Sequence, residues 1–475
     1  MSRLREWVWP AAVLAALGCE TRSDSWGDAL DLQTATAAGG ELVAQAKGRD
    51  ALLVVDPKTA APRFIALDKE VLTPEPRLES KSLIAFAVDG SALVQVDLET
   101  DRSTRYPLGG RFDRDTQTPD GAFAILTRGG GGAGLVNASE VALLDLRIGP
   151  SPTNPARRAL SSKGGTIAGV DISPAYGAAG RRLALFRSLS YLAAVPVEEF
   201  AAGTLRTVPL AADGDASVNP LETLFRASAE HLDVFVRADS GTDVIHLRFP
   251  DADDGVARPV LNQLTAGGSV SAILLLSPES SGAAGRIAAL SPSSGGFTLI
   301  DPETAESDFY ALPNAPSDGL VVDGPTGEEL LLFTIGRNVL HRVALSELAA
   351  KKTKAITTLS LAAPVRTITA AAGGARLVVT HDANWGTDVT LINPATSELV
   401  PFTTADNVLA TMLSDDAGSL VVLTSGSATR LTAIDLAAGT TTETEVAGYP
   451  SALLPIPGSG YLALLSADGL GTFEF

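Results

Sequence analysis

The chain carries one cysteine in 475 residues, so no disulfide can form within it. Aromatic residues make up only 5% of the sequence, and its four histidines, His231, His246, His341 and His381, lie in separate segments. No HExxH or HxH pattern gathers them, so zinc-hydrolase chemistry has no visible ligand set. No G-x-S-x-G nucleophile elbow occurs either; the glycine run after Arg128 has no serine inside it and reads as a loop. Positive charge is scarce. The 36 Lys and Arg face 55 Asp and Glu, for a formal net charge of −19. That balance excludes general affinity for nucleic-acid backbones and for anionic lipid, and it favours solubility. No long segment keeps a helical apolar period, which excludes an all-helical fold.

What is present begins with the N-terminal segment MSRLREWVWPAAVLAALGC. Arg3 and Arg5 form a positive start, and Val8 to Leu17 form a short apolar stretch interrupted by Pro10. A spanning helix needs roughly 20 apolar residues, so this stretch reads as a signal peptide over 1–18. Its ending, Ala15-Ala16-Leu17-Gly18-Cys19, resembles the lipobox of bacterial lipoproteins. The resemblance implies cleavage before Cys19 and acylation of that residue. Two or three acyl chains would hold the protein stably on a membrane. Residues 19–40, polar and rich in Gly, Ala and Thr, are expected to serve as a tether.

From residue 41 to 475 short apolar runs alternate with turn signals. One unit recurs: an apolar strand, a second apolar strand ending in an acidic turn, then a short third strand. The turn reads LLVVDPKT, LVQVDLET, FTLIDPET, VTLINPAT and TAIDLAAGT. Its Asp or Asn (Asp56, Asp97, Asp145, Asp301, Asn393, Asp435) can accept a hydrogen bond from the backbone two residues on, which makes these residues structural. Spacings of 41, 48 and 42 residues separate consecutive markers, and the wider gaps divide into units of 46 to 52. A second marker precedes many units: Thr118-Pro-Asp-Gly, Ser173-Pro, Ser277-Pro and Ser414-Asp-Asp-Ala-Gly.

A period of 40–50 residues with three or four strands per unit predicts an all-β propeller. The motifs resemble the WD40-like and YVTN-like propellers of secreted bacterial proteins. Nine such hairpins and a terminal one, GYLALLS–GTFEF, are countable, while known propellers cluster at seven or eight blades; seven or eight is the expectation here. The last hairpin lacks an outer strand, and residues 28–36 are expected to supply it.

Candidate binding residues are few. Arg105, Tyr106, Arg111, Phe112 and Arg114 mix guanidinium and aromatic groups, the residue types enriched at protein interfaces. His381 and Asp382 open a polar loop that also holds Asn384, Trp385 and Asp388. Asp251, Asp253 and Asp254 form an acidic tip that lacks the spacing of an EF-hand. No catalytic residue, cofactor or metal ligand is assigned. The expectation is a lipid-anchored protein of the bacterial cell envelope, on the periplasmic face of the outer membrane or on the cell surface. It would act as a non-enzymatic scaffold for an envelope protein or surface ligand. A metal-dependent, lactonase-like hydrolase and a surface adhesin are the alternatives.

Overall fold

The computed structural model describes residues 32–474, apart from short segments of which 130–138, 161–165, 211–217, 252–257 and 383–387 are the longest. The described chain forms ten antiparallel sheets, nine of four strands and one of three. Each is a meander in which strands consecutive in sequence pair with one another. We number these blades in chain order: 32–66, 75–107, 114–159, 167–208, 220–265, 272–311, 318–360, 365–402, 407–446 and 450–474. The expectation of seven or eight is therefore corrected to ten. Every countable hairpin makes its own sheet; the smaller number rested on the usual size of such folds rather than on the spacings. Of residues 28–36, expected to complete the last blade, 28–31 lie outside the described residues. The strand Leu32–Ala38 pairs with Glu41–Ala46 as the first strand of blade 1, which places it inside the stretch expected to be tether.

The two central strands of most blades carry the apolar runs and are largely buried, though Thr429–Asp435 of blade 9 is mostly half-buried. Phe123–Thr127, Leu192–Pro196, Ile287–Ser291 and Gly296–Ile300 are buried at every residue. Strands covered on both faces read as near-continuous apolar runs, which is why these were visible in the sequence. The first and fourth strands are half-exposed and mixed, as in Arg102–Pro107 and Val365–Ala370.

The turn between third and fourth strands behaves as its sequence predicts. The carboxylate or amide oxygen of Asp56, Asp97, Asp145, Asp301, Asn393 and Asp435 accepts from the amide two residues on, at 2.8 to 3.1 Å. Four residues after Asp56, Asp97, Asp301 and Asn393 the chain takes a left-handed conformation at Ala60, Asp101, Ala305 and Ser397; after Asp435 the same place is held by Gly439. The link between first and second strands uses the other marker. Buried Thr118 accepts from the Phe123 amide at 3.0 Å, and Ser414 accepts from Ser419 at 2.9 Å.

The chain divides into two compact units. One comprises residues 1–129, 142–156 and 409–475, and the other 130–141 and 157–408. Within each unit blades stack face to face through apolar layers. Blades 1 and 2 share Val43, Leu52, Val54, Ile65, Leu67, Leu83, Val94 and Val96. Blades 4 and 5 share Leu183, Leu185, Val208, Leu210, Val234 and Leu247. Arginines add a second tie, each donating to carbonyls of the following blade. Arg63 reaches Leu98 at 2.9 Å and Arg77 reaches Gly121 at 2.7 Å in the first unit. In the second, Arg187 reaches Leu221 at 2.6 Å, and Arg226 reaches Gly285 together with Leu276 and Arg286, the last two at 3.2 Å.

Candidate functional site

Two polar clusters stand out, one in each unit. In the first unit, the two-residue first strand of blade 2, Glu75–Pro76, lies beside the first strand of blade 3, Arg114–Gln117. Gln117 Nε2 donates to the Pro76 carbonyl at 3.1 Å and Arg77 donates to Gly121, so side chains on both segments lace the edges together. This register sets the Glu75 and Asp115 carboxyl groups close enough for the charge of one to affect the other. Burial, and then the neighbouring Glu75 charge, push Asp115 up to about 7; burial also raises Glu75. Each therefore titrates under the influence of the other. Asp115 Oδ2 and Gln117 Oε1 are shielded from solvent without a protein partner. Two carboxyls, an amide and an exchangeable proton at one edge are the elements of acid–base work or of cation binding.

In the second unit, Asp233 on the second strand of blade 5 is buried and faces His246 on the third strand. His246 Nε2 lies 2.9 Å from Asp233 Oδ1, and Arg248 donates to both carboxylate oxygens at 2.7 and 3.1 Å. Burial alone would raise the Asp233 carboxyl, but the hydrogen bonds from His246 and Arg248 and their charges hold it well below the usual carboxylate range. The other side of Arg248 binds Glu303, in the turn of blade 6, and His231 Nε2 stands 3.3 Å from Asp233. The His246 ring stacks on Phe235, with centroids 5.0 Å apart, and the Arg226 guanidinium lies over Phe235.

His231, Asp233 and Glu303 offer donor atoms within 4.8 Å of one another, the spacing of a metal site. The set does not fit a cation. Arg248 already occupies both carboxylates, and a divalent ion there would sit against its guanidinium. The cluster is an inter-blade polar tie: an acid compensated by an arginine, with two histidine rings beside it.

The residues singled out in the sequence are dispersed. Cys19 and Trp385 lie outside the described residues, as do Asp253 and Asp254. Tyr106 and Phe112 are buried at 2% and 1% exposure in the layer between blades 2 and 3, with the Tyr106 hydroxyl 3.0 Å from both Gln95 Oε1 and the Ile148 carbonyl. Their side chains therefore belong to the core. Arg105 is half-buried, and Arg111 and Arg114 are exposed. His381 is buried, its Nδ1 3.0 Å from the Pro364 carbonyl and its Nε2 2.7 Å from Thr390 Oγ1; burial pushes it below the ordinary imidazole range. Asp382 is exposed, and Asp388 accepts from the Thr404 amide and hydroxyl. Asp251 accepts from the Ala178 amide at 2.9 Å and lies 3.5 Å from the Arg181 guanidinium.

Sequence reasoning missed Glu75, Arg77, Asp115 and Gln117, because Glu75–Pro76 and Arg114–Gln117 carry no apolar run to mark them. Asp233 and His246 had a signal: each is a polar residue flanked by apolar ones inside a central strand, LDVFV and VIHL.

No protein-family model and no curated protein sequence matches this chain. Solved structures do. A eukaryotic initiation factor structure aligns with a TM-score of 0.51 at 10% identity, covering 83% of this chain and 93% of that one. The dihydro-heme d1 dehydrogenase NirN aligns at 0.46 with 12% identity over 79% of this chain and 76% of its own. The WD40 domain of SCAP from fission yeast aligns at 0.39 with 11% identity, over 86% and 96%. At these identities the likeness is one of fold. With the repeated four-strand meander, the fold is a β-propeller.

Proposed function

We propose that this protein is a lipid-anchored propeller of the bacterial cell envelope that works as a non-enzymatic scaffold, binding an envelope protein or surface ligand. The observation that carries the reading is how the buried ionisable groups are used. Asp233, His246, Arg248, Arg226 and His381 are all engaged in ties between strands and blades. The chemistry of the interior is spent on rigidity, and rigid blades with variable turns make a recognition surface. The anchor rests on the segment ending at Cys19, whose single thiol stands where the lipobox resemblance requires it. Incorporation of labelled palmitate into the wild-type chain but not into Cys19→Ala tests the anchor. Stoichiometric envelope partners recovered after mild cross-linking of the anchored form test the scaffold. An unlabelled, partnerless protein overturns the reading.

The hydrolase alternative has one observation in its favour, the edge holding Glu75, Asp115 and Gln117. Titration with calcium or zinc at pH 8 decides it. Binding in the wild type that is lost in Asp115→Asn would move the assignment toward metal-assisted hydrolysis.

A further inference from the structure

The end of blade 1 at which the chain enters the fold is also an end at which apolar side chains face solvent. Leu32 opens the first strand and pairs with Ala46, so it lies beside the turn between the second and third strands of its blade. That turn is tied to blade 2. The Gly48 amide donates to Glu70 Oε1 at 2.8 Å, in the connection that leads from blade 1 to blade 2. The same connection runs along the corresponding turn of blade 2. The Val88 amide donates to the Glu70 carbonyl at 3.1 Å and the Leu72 amide to the Phe86 carbonyl at 2.7 Å, with Val71 opposite Ala87. Val71 and Ala87 are buried, and the residues that follow them, Leu72 and Val88, are 40% and 52% exposed. Leu32, Gly48, Leu72 and Val88 thus share one end of blades 1 and 2, inside a single compact unit.

Exposed large apolar residues recur at this end of the blades. Nine are found among the described residues. Three of them, Phe64, Val260 and Phe309, lie on fourth strands. Of the six at blade ends, five lie at the end that holds the turn between second and third strands. They are Leu72 and Val88 in the first unit, and Leu189, Leu221 and Ile335 on separate blades of the second. Ile148, in the turn between the third and fourth strands of blade 3, is the exception. A single exposed apolar residue needs no explanation, but a bias of five to one toward one end does. The opposite end carries the Asp-initiated turns, with Glu99, Asp101 and Asp435 exposed in the first unit.

We infer that the Leu72–Val88 end of blades 1 and 2 rests on the lipid bilayer, with both side chains in its interfacial region and the first unit held by them in a fixed orientation. The inference rests on the anchor reading, which places an acylated Cys19 thirteen residues before Leu32. A flexible coil of that length has a root-mean-square span of about 20 Å and a full reach of about 45 Å. The end holding Leu32 is therefore kept near the surface, while the Asp-initiated turns stand roughly 20 Å, one strand length, farther off. Tethering replaces a bimolecular encounter by an intramolecular one, so a contact too small to recruit the free protein can still orient the anchored one. Charge does not hold the contact. Asp50, Asp68 and Asp89 stand among Arg49, Lys69 and Arg111 at this end, with Lys69 paired to Asp89 at 3.1 Å. The docking should therefore persist when salt is raised, unlike that of a polybasic patch.

Lys69 reports on the contact, because its side chain is 53% exposed at this end; Lys58 and Lys81, exposed in turns at the opposite end, serve as controls. The full chain is coupled through Cys19, its one thiol, to maleimide-headgroup lipid in vesicles of phosphatidylcholine and phosphatidylglycerol. It is then acetylated with a water-soluble succinimidyl ester, and each lysine is followed by mass spectrometry. Lys69 should react about threefold more slowly, or slower still, in the coupled chain than in the free one, at low and high salt alike. Lys58 and Lys81 should keep their rates. The double variant Leu72→Ser, Val88→Ser changes exposed positions only, so it should keep the wild-type melting temperature and restore the free rate at Lys69. Equal rates at Lys69 in the coupled and free chains overturn the inference, as does slowing that the double variant retains. Slowing at Lys58 and Lys81 instead would put the opposite end on the bilayer and overturn it. Slowing at Lys69 that grows with protein concentration without vesicles would assign this end to a second copy and overturn it too. Coupling supplies the lipid whether or not a cell does, so these outcomes judge the docking, and palmitate incorporation judges the anchor.

Discussion

The Glu75–Asp115 pair makes the stability of blade 3 depend on pH near neutrality, in a definite direction. Asp115 is pushed up to about 7 in the folded chain, by burial first and the Glu75 charge second, against an ordinary value of about 3.9 in an unfolded one. A carboxyl raised in this way holds its proton more tightly when folded, so stability falls as pH climbs from the ordinary value through the raised one. Between pH 5 and pH 8 the full linkage would be about 2.7 kcal/mol, from two pH units at about 1.4 kcal/mol each. Asp115 is only half-buried and Glu75 titrates beside it, so about half of that, roughly 1.4 kcal/mol or tenfold in a local opening equilibrium, is the expected effect. The assay is amide hydrogen exchange across Phe123–Thr127, which pairs with Arg114–Gln117, corrected for the chemical rate and compared between wild type and Asp115→Asn. The wild type should lose protection relative to the variant as pH rises from 5 to 8. A constant difference between the two proteins, or a gain in the wild type, refutes the raised Asp115 carboxyl.

Four further outcomes follow from the same contacts. Arg226→Lys cannot reproduce a guanidinium that reaches three carbonyls, and should cost about 2 kcal/mol, read as a lower melting temperature in which Arg226→Ala is no better. Asp233→Ala leaves His246 and Arg248 facing an empty site and should cost about 3–5 kcal/mol by urea denaturation. Asp301→Ala should cost about 1 kcal/mol by removing the acceptor for Glu303, an effect comparable to losing a helix cap. Ala305→Gly, at a φ of 60°, should instead stabilise by up to about 1 kcal/mol, because relief of left-handed strain outweighs the added chain entropy.

How far the sequence could be read depends on which strand one asks about. Central strands were legible because burial on both faces demands continuous apolar runs, as in FAILT and LALFRS. The turns were legible because an Asp-initiated turn needs that residue at that place, and all six named markers accept the expected amide. First strands were not. Glu75–Pro76 is two residues long, and Arg114–Gln117 has no apolar residue at all. These strands are held by backbone pairing and by side chains such as Gln117 and Arg77, which leave no period behind. The polar edge they form, with Asp115 at its centre, was invisible for that reason. The opposite error befell Tyr106 and Phe112. Their neighbours Arg105 and Arg111 suggested a surface, but strand alternation turns Tyr106 inward, and Phe112 follows it into the same layer.

The shortages noted in the composition have a structural counterpart. A fold assembled from repeated sheets must hold each blade to the next, and this chain has neither disulfides nor a large supply of aromatic rings to do it. Its apolar layers are mostly Leu, Val, Ile and Ala, residues that fill space without fixing direction. Direction comes from arginine. A guanidinium presents several donors in one plane, so a single side chain can engage carbonyls on a neighbouring blade and fix both distance and rotation. Arg63, Arg77, Arg187 and Arg226 all point from one blade to the following one, never to the preceding one. Such ties resist sliding in a way that an aliphatic layer does not. Where an acid is also buried, as at Asp233, the same residue type neutralises it. Arginine thus specifies how one blade sits on the next where the aliphatic layers do not.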